Sequence, residues 1–185
     1  MIKSLCIFCR SRHGAIPEYR VQAARLGELC GNHAIEVVYG GGHVGLMGVV
    51  ADAAMAAGGT VTGLIPERLL KREVGHRAIS ELIVTESMFD RKDQMITRSD
   101  AFAILPGGLG TLDELFEVLT LRQLGYHQKP IILININSFW DPLCALMGRV
   151  ADGAFADPDT SSMLHTVEDV DAVLPALGIG KTEAA

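Results

Sequence analysis

Ala101-Phe102-Ala103-Ile104-Leu105-Pro106-Gly107-Gly108-Leu109-Gly110-Thr111-Leu112-Asp113-Glu114 runs from five consecutive apolar residues through a glycine turn into a helical pattern. A strand without polar alternation is buried on both faces, as in a parallel sheet covered by helices. Five further runs share its character: Lys3–Cys9, Ile35–Tyr39, Thr60–Ile65, Glu81–Thr85 and Ile131–Ile136. Helical patterns fall between them at about 17–32, 44–57, 88–98, 111–124 and 139–153, with a last one near 167–177. Regular β–α alternation over one small chain predicts an α/β, Rossmann-like, doubly wound parallel sheet. At 185 residues the chain has room for one domain, expected over 1–180 with a loose tail at 181–185. Ligands of such folds bind beyond the carboxyl ends of the strands, so the loops after Cys9, Tyr39, Thr85 and Leu105 are where function should lie.

Composition narrows the classes. The chain is 49% hydrophobic and 21% charged, which excludes wholesale disorder. No apolar run approaches the ~18–20 residues of a membrane helix, and the first apolar stretch ends at Arg10, too short for a signal peptide. A cytoplasmic protein is expected. The net charge of −6 disfavours nucleic acid polymers as partners. Seven of the sixteen basic residues (Arg68, Lys71, Arg72, Arg77, Arg91, Lys92, Arg98) nevertheless cluster, which suits a pocket for a small anion. Cys6 and Cys9 spell C-x-x-C, a zinc or redox spacing. They lie in a strand, where residues three apart face opposite ways, so buried structural thiols in a reducing compartment are expected instead.

Tyr39-Gly40-Gly41-Gly42-His43-Val44-Gly45 also fits G-x-G-x-x-G, the dinucleotide-binding spacing. That reading requires an acid at the end of the next strand, and Thr60–Ile65 ends without one. The Gly107–Thr111 turn is the better anion site. Its glycines expose consecutive backbone N–H groups, and the helix that follows adds the positive end of its dipole. No Gly-Lys-Ser/Thr follows, so triphosphate hydrolysis is not expected. Thr111-x-x-Glu114 reads equally as a capping box or as a carboxylate one turn from a bound phosphate. In Met88-Phe89-Asp90-Arg91-Lys92-Asp93-Gln94-Met95, Arg91 can pair with an anion and the methionines can contact a base. Helix 44–57 is apolar nearly all round, which predicts a second burial surface, most simply another copy in a homodimer.

Together these segments resemble the Lonely Guy family of cytokinin riboside 5'-monophosphate phosphoribohydrolases. The resemblance rests on Val38–Gly48, Met88–Met95, Ser99-Asp100-Ala101-Phe102, Pro106–Glu114 and Gln123–Pro130, and spans roughly residues 3–177. It implies a homodimer of Rossmann-like subunits that hydrolyses the N-glycosidic bond of adenine-type nucleoside 5'-monophosphates, giving free base and ribose 5-phosphate. By position, Arg91 and Glu114 would be the catalytic pair. Lys92, Gly108, Gly110, Thr111, Asp113 and Thr120 would line the nucleotide site, with Gly107 in the phosphate turn, Met88 at the base, and Glu73 and Ser11 as further contacts. No cofactor is implied, and no metal-ligand cluster is evident. Arg10 stands where a glycine usually follows the cysteine, Phe89 replaces a histidine, and Leu121 replaces a frequent tryptophan. Three rival readings remain: a non-catalytic carrier or sensor of nucleotides, a dinucleotide oxidoreductase, disfavoured by the missing ribose-binding acid, and a pyridoxal-dependent decarboxylase, for which Lys92 would have to carry the Schiff base.

Overall fold

The structure is a computed structural model that describes residues 1–70, 74–156 and 158–180. The expected tail at 181–185 and the expected substrate contact Glu73 lie outside the described residues, as do Lys71 and Arg72. Seven parallel strands form one sheet: β1 Ser4–Phe8, β2 Glu36–Tyr39, β3 Val61–Pro66, β4 Glu81–Thr85, β5 Ala101–Ile104, β6 Ile131–Ile134 and β7 Leu164–Val167. The helices are α1 Glu18–Asn32, α2 Gly45–Ala56, α3 Glu67–Leu70, α4 Met88–Arg98, α5 Leu109–Gln123, α6 Asp141–Asp152 and α7 Val173–Ala176. The strand order is β4-β3-β2-β1-β5-β6-β7, so the winding reverses between β1 and β5. The crevice beyond those two strands is where such a sheet receives a ligand.

Alternate strand residues feed two cores. Leu5 and Ile7, Val37 and Tyr39, and Ala101 and Ala103 face α1, α2 and α7, while Cys6, Phe8, Val38, Phe102 and Ile104 face α4, α5 and α6. This is the period-2 alternation of a strand, here with both faces covered. Cys6 belongs to one core and Cys9 to the other, and all four cysteines are free. Burial pushes the Cys30 thiol up to about 12 and raises Cys6 and Cys9 as well, leaving none of the three as a thiolate ligand at neutral pH.

Two expectations change. Helix α2 finds its second burial surface within the chain, because α1 packs onto it through Gly27 and Gly31. A Cβ on Gly27 would lie 2.3 Å from the Val50 carbonyl oxygen, and one on Gly31 would lie 2.7 Å from the Ala57 Cβ. Small residues on both sides let the helices touch backbone to backbone, so the apolar character of α2 does not itself require another copy. Of the helix expected near 167–177, only α7 at Val173–Ala176 forms; Val167 ends strand β7 and residues 168–172 are bends and turns. Val170, Val173 and Leu174 are buried at helical spacing, which explains the reading, but the turn before Val173 is irregular.

The Gln123–Pro130 segment turns α5 into β6 by way of His127. Its Nε2–H donates to the Val118 carbonyl (2.9 Å) and its Nδ1 accepts the Lys129 N–H (3.1 Å), an arrangement only the neutral ring can make. Burial is the main cause of its lowered pKa. The unfolded chain therefore takes up this proton more readily than the folded one. The stabilisation is complete above the ordinary histidine value near 6.5 and is lost as pH falls through the lower folded value. Urea midpoints at pH 7.5 and 5.5 should differ more for wild type than for His127→Gln. An equal difference in the two proteins would remove this role.

Candidate active site

The switch-point crevice is a cleft of about 640 Å³, within the range of small-molecule sites. Five strand ends contribute to it: Cys9, Arg10 and Ser11 after β1, Met47 after β2, Leu69 after β3, Met88 and Arg91 after β4, and Gly108 through Glu114 after β5.

Arg91 is aimed by the start of α4. Ser87 caps that helix by accepting the Asp90 N–H (3.1 Å), and the Asp90 carboxylate accepts the Glu86 N–H (3.0 Å). This reciprocal cap fixes the helix phase, with Arg91, Lys92 and Met95 on the buried side. The Arg91 guanidinium then lies directly over Gly40. A Cβ there would sit 2.0 Å from its Nη2. Gly41 and Gly45 adopt φ of +72° and +69°, and a Cβ on Gly45 would meet the Arg12 nitrogen at 2.1 Å. The first glycine loop is thus spent on seating Arg91 and the turn after β1, and the space a dinucleotide pyrophosphate would need is filled by the chain itself.

Helix α5 starts at Leu109 with Gly108 at its cap, two residues earlier than the sequence suggests. Thr111 therefore lies inside the helix, not at the capping position, and the capping-box reading of Thr111 and Glu114 does not hold. Glu114 reaches Arg91 instead, Oε1 to Nη2 at 3.7 Å, with the two side chains 10% and 6% exposed. Arg91 Nε and Thr111 Oγ1 are buried without a hydrogen-bond partner among the described residues. Buried polar atoms are rarely left so. Both belong to residues lining the cleft.

Lys92 points elsewhere. Its Nζ bridges Asp113 (3.0 Å) and Glu117 (2.8 Å), tying α4 to α5. Burial pulls its pKa down, but the hydrogen bonds it donates to Glu117 and Asp113 outweigh that and leave it raised. A lysine held as a paired ammonium and absent from the cleft lining is not a Schiff-base nucleophile.

Of the residues expected at the site, the cleft brings together Ser11, Met88, Arg91, Gly108, Gly110, Thr111, Asp113 and Glu114. Gly107 lines a smaller neighbouring pocket with Arg10 and Pro106. Lys92 and Thr120 do not line the cleft, and Thr120 is exposed on α5, about 14 Å along the helix from Thr111. Sequence reasoning missed Met47, Leu69, Leu109 and Leu112. Applying the strand-end rule to Pro66 as well would have found Leu69. It also missed the group His43, Asp52 and His76, which could hold a metal ion. His76 Nε2 lies 2.8 Å from Asp52 Oδ1, and its Nδ1 accepts the Ala78 N–H at 3.4 Å, so the ring is already satisfied as a neutral clip between α2 and the segment at 74–76.

Residues 47–177 match the family described as "Possible lysine decarboxylase". A cytokinin riboside 5'-monophosphate phosphoribohydrolase of Arabidopsis thaliana is 42% identical over 156 residues, covering 84% of this chain and 72% of that one. One of Rhodococcoides fascians is 39% identical over 176 residues, covering 95% and 89%. The chain belongs to the Lonely Guy family. Among solved structures, the molybdenum cofactor carrier protein of Chlamydomonas rheinhardtii (19% identity, TM-score 0.70) and the molybdenum cofactor binding protein of Rippkaea orientalis (21%, TM-score 0.73) share the fold, each matching 96% of both chains. Likeness at that level carries the Rossmann-like architecture and no activity. Within the family, the "lysine decarboxylase" description finds no support in the position of Lys92.

Proposed function

We propose that this Lonely Guy protein hydrolyses the N-glycosidic bond of adenine-type nucleoside 5'-monophosphates, AMP and N6-prenylated relatives included, releasing free base and ribose 5-phosphate. The observation that carries the reading is the nine-tenths-buried Arg91–Glu114 pair on the cleft wall, one turn into a helix whose glycine-capped start faces the same cleft. The 5'-phosphate docks on the N–H groups at Gly108–Thr111, where the helix dipole favours an anion. The base lies against Met47, Leu69 and Met88. Arg91 orients the substrate. As the bond from the anomeric carbon to the base breaks, its electron pair leaves with the base nitrogen and positive charge develops on the sugar. Glu114 faces that charge and guides the water whose oxygen bonds to the anomeric carbon; one of its protons passes to the departing base and the other stays on the new sugar hydroxyl.

A homodimer belongs to the same reading, though no longer on account of α2. Its support is the exposed apolar set Phe89 (78%), Leu109 (86%) and Phe116 (38%), of which Leu109 lines the cleft, and the distance of Thr120 from the glycine turn. A Thr120 contact, as the resemblance implies, would come from a second copy. Four free cysteines, three of them buried, suit the cytoplasm.

The alternative is a non-catalytic carrier or sensor of nucleotides, which the same glycine turn and cleft would serve. Incubating the purified protein with AMP and with N6-isopentenyladenosine monophosphate, followed by chromatography, separates the two. Free base from either supports the hydrolase, and their ratio gives the substrate preference. Saturable binding with no base released supports the carrier, and a monomer in sedimentation at micromolar concentration removes the dimer.

A further inference from the structure

We propose that Arg10 adds a side-chain contact to the 5'-phosphate and so strengthens this site's preference for a phosphorylated substrate, an inference that rests on the nucleotide reading above. Arg10 is the second residue beyond β1, at the point where the winding of the sheet reverses. Its guanidinium lies flat against Gly108, the cap of α5. A Cβ on Gly108 would meet Nη1, Cζ and Nε at 3.0, 3.1 and 3.3 Å. Glycine at that position lets the cation rest on the backbone whose N–H groups open toward the cleft.

The backbone of this turn is fixed. The Arg10 carbonyl accepts the Leu46 N–H at 3.0 Å, and Ser11 and Arg12 pack on Gly45 closely enough to exclude a side chain there. The side chain remains exposed and makes no ion pair among the described residues, whereas Arg91 is paired with Glu114 and Lys92 with Asp113 and Glu117. A cation beside the positive end of a 15-residue helix is electrostatically unfavourable by itself. It becomes favourable when a dianion sits between the two, accepting from the amides on one side and from the guanidinium fork on the other. A phosphate monoester meets that requirement, and an uncharged nucleoside hydroxymethyl group does not. Arg12 provides the contrast. It lines the small 80 Å³ pocket and not the cleft.

The test compares wild type with Arg10→Gly, Arg10→Lys and Arg12→Ala. Loss of one charge-assisted contact corresponds to about 10–100-fold in affinity. Arg10→Gly should raise KM for AMP by that factor while kcat changes little, and inorganic phosphate should lose potency as a competitor in proportion. Arg10→Lys should fall between the two, because a point charge replaces a fork. Arg12→Ala should match wild type. An unchanged KM in Arg10→Gly, or an equal loss for adenosine and AMP, overturns the assignment. Calorimetric titration with AMP keeps the two proposals apart. If wild type binds AMP through Arg10 but releases no base, the hydrolase reading fails and this one stands.

Discussion

Replacing Glu114 by Gln lowers base release from nucleoside 5'-monophosphates by on the order of 10²–10³ and leaves nucleotide binding nearly intact. The substitution keeps the shape of a side chain that is only 8% exposed, so packing is preserved. It removes the charge that lies 3.7 Å from Arg91 and that, in the proposed mechanism, faces the developing cation. The proposed phosphate contacts lie a turn away on the amides of α5 and are not altered, so the loss should fall on kcat and not on KM. Single-turnover rates with AMP, together with calorimetric affinities, measure both quantities. A variant within a few-fold of wild type in turnover would show that this carboxylate does not serve the reaction.

Gly40→Ala should cost nearly as much through geometry alone. Its new Cβ would lie 2.0 Å from Arg91 Nη2 and 3.1 Å from both Cζ and the Met47 sulfur. Arg91 is 5% exposed and lines the cleft, so its guanidinium is pushed off Gly40 toward the cleft space. The guanidinium must move by about an ångström, and a misplacement of that size in a catalytic group costs on the order of 10²-fold. Overpacking should also lower stability by about 1–3 kcal/mol. Turnover and thermal melts report the two effects separately. Activity close to wild type in a folded Gly40→Ala protein would show that the seat of Arg91 on Gly40 does not serve the reaction.

These two residues also show how far a sequence can be read. The sheet was legible because apolar runs such as Ala101–Leu105 are buried on both faces, which gives parallel strands their uniform pattern. The partner of Arg91 was not legible from α4 alone. The 3.7 Å approach to Glu114 joins the ends of β4 and β5, which lie on opposite sides of the switch point, and no local spacing encodes it. The first glycine loop misleads for a related reason. Glycine marks close approach without naming what approaches, and here the neighbours are Arg91 and the turn at Ser11–Arg12, not a ligand. Helix α2 makes the same point at the level of packing. Its all-round apolar surface was correctly read as doubly buried, but the covering surface is α1, whose Gly27 and Gly31 are conspicuous only once the two helices are side by side. Arg10 stands out in sequence as an unusual residue in a turn, while its position over the cap of α5 emerges from the β1–β5 adjacency.

The most direct measurement is a crystal structure of the Glu114→Gln protein soaked with AMP. The account predicts phosphate oxygens on the N–H groups of Gly108–Thr111, the adenine against Met88, and the carboxamide at position 114 facing the anomeric carbon. A nucleotide bound with its phosphate away from that helix start, or with the sugar turned from position 114, would contradict it.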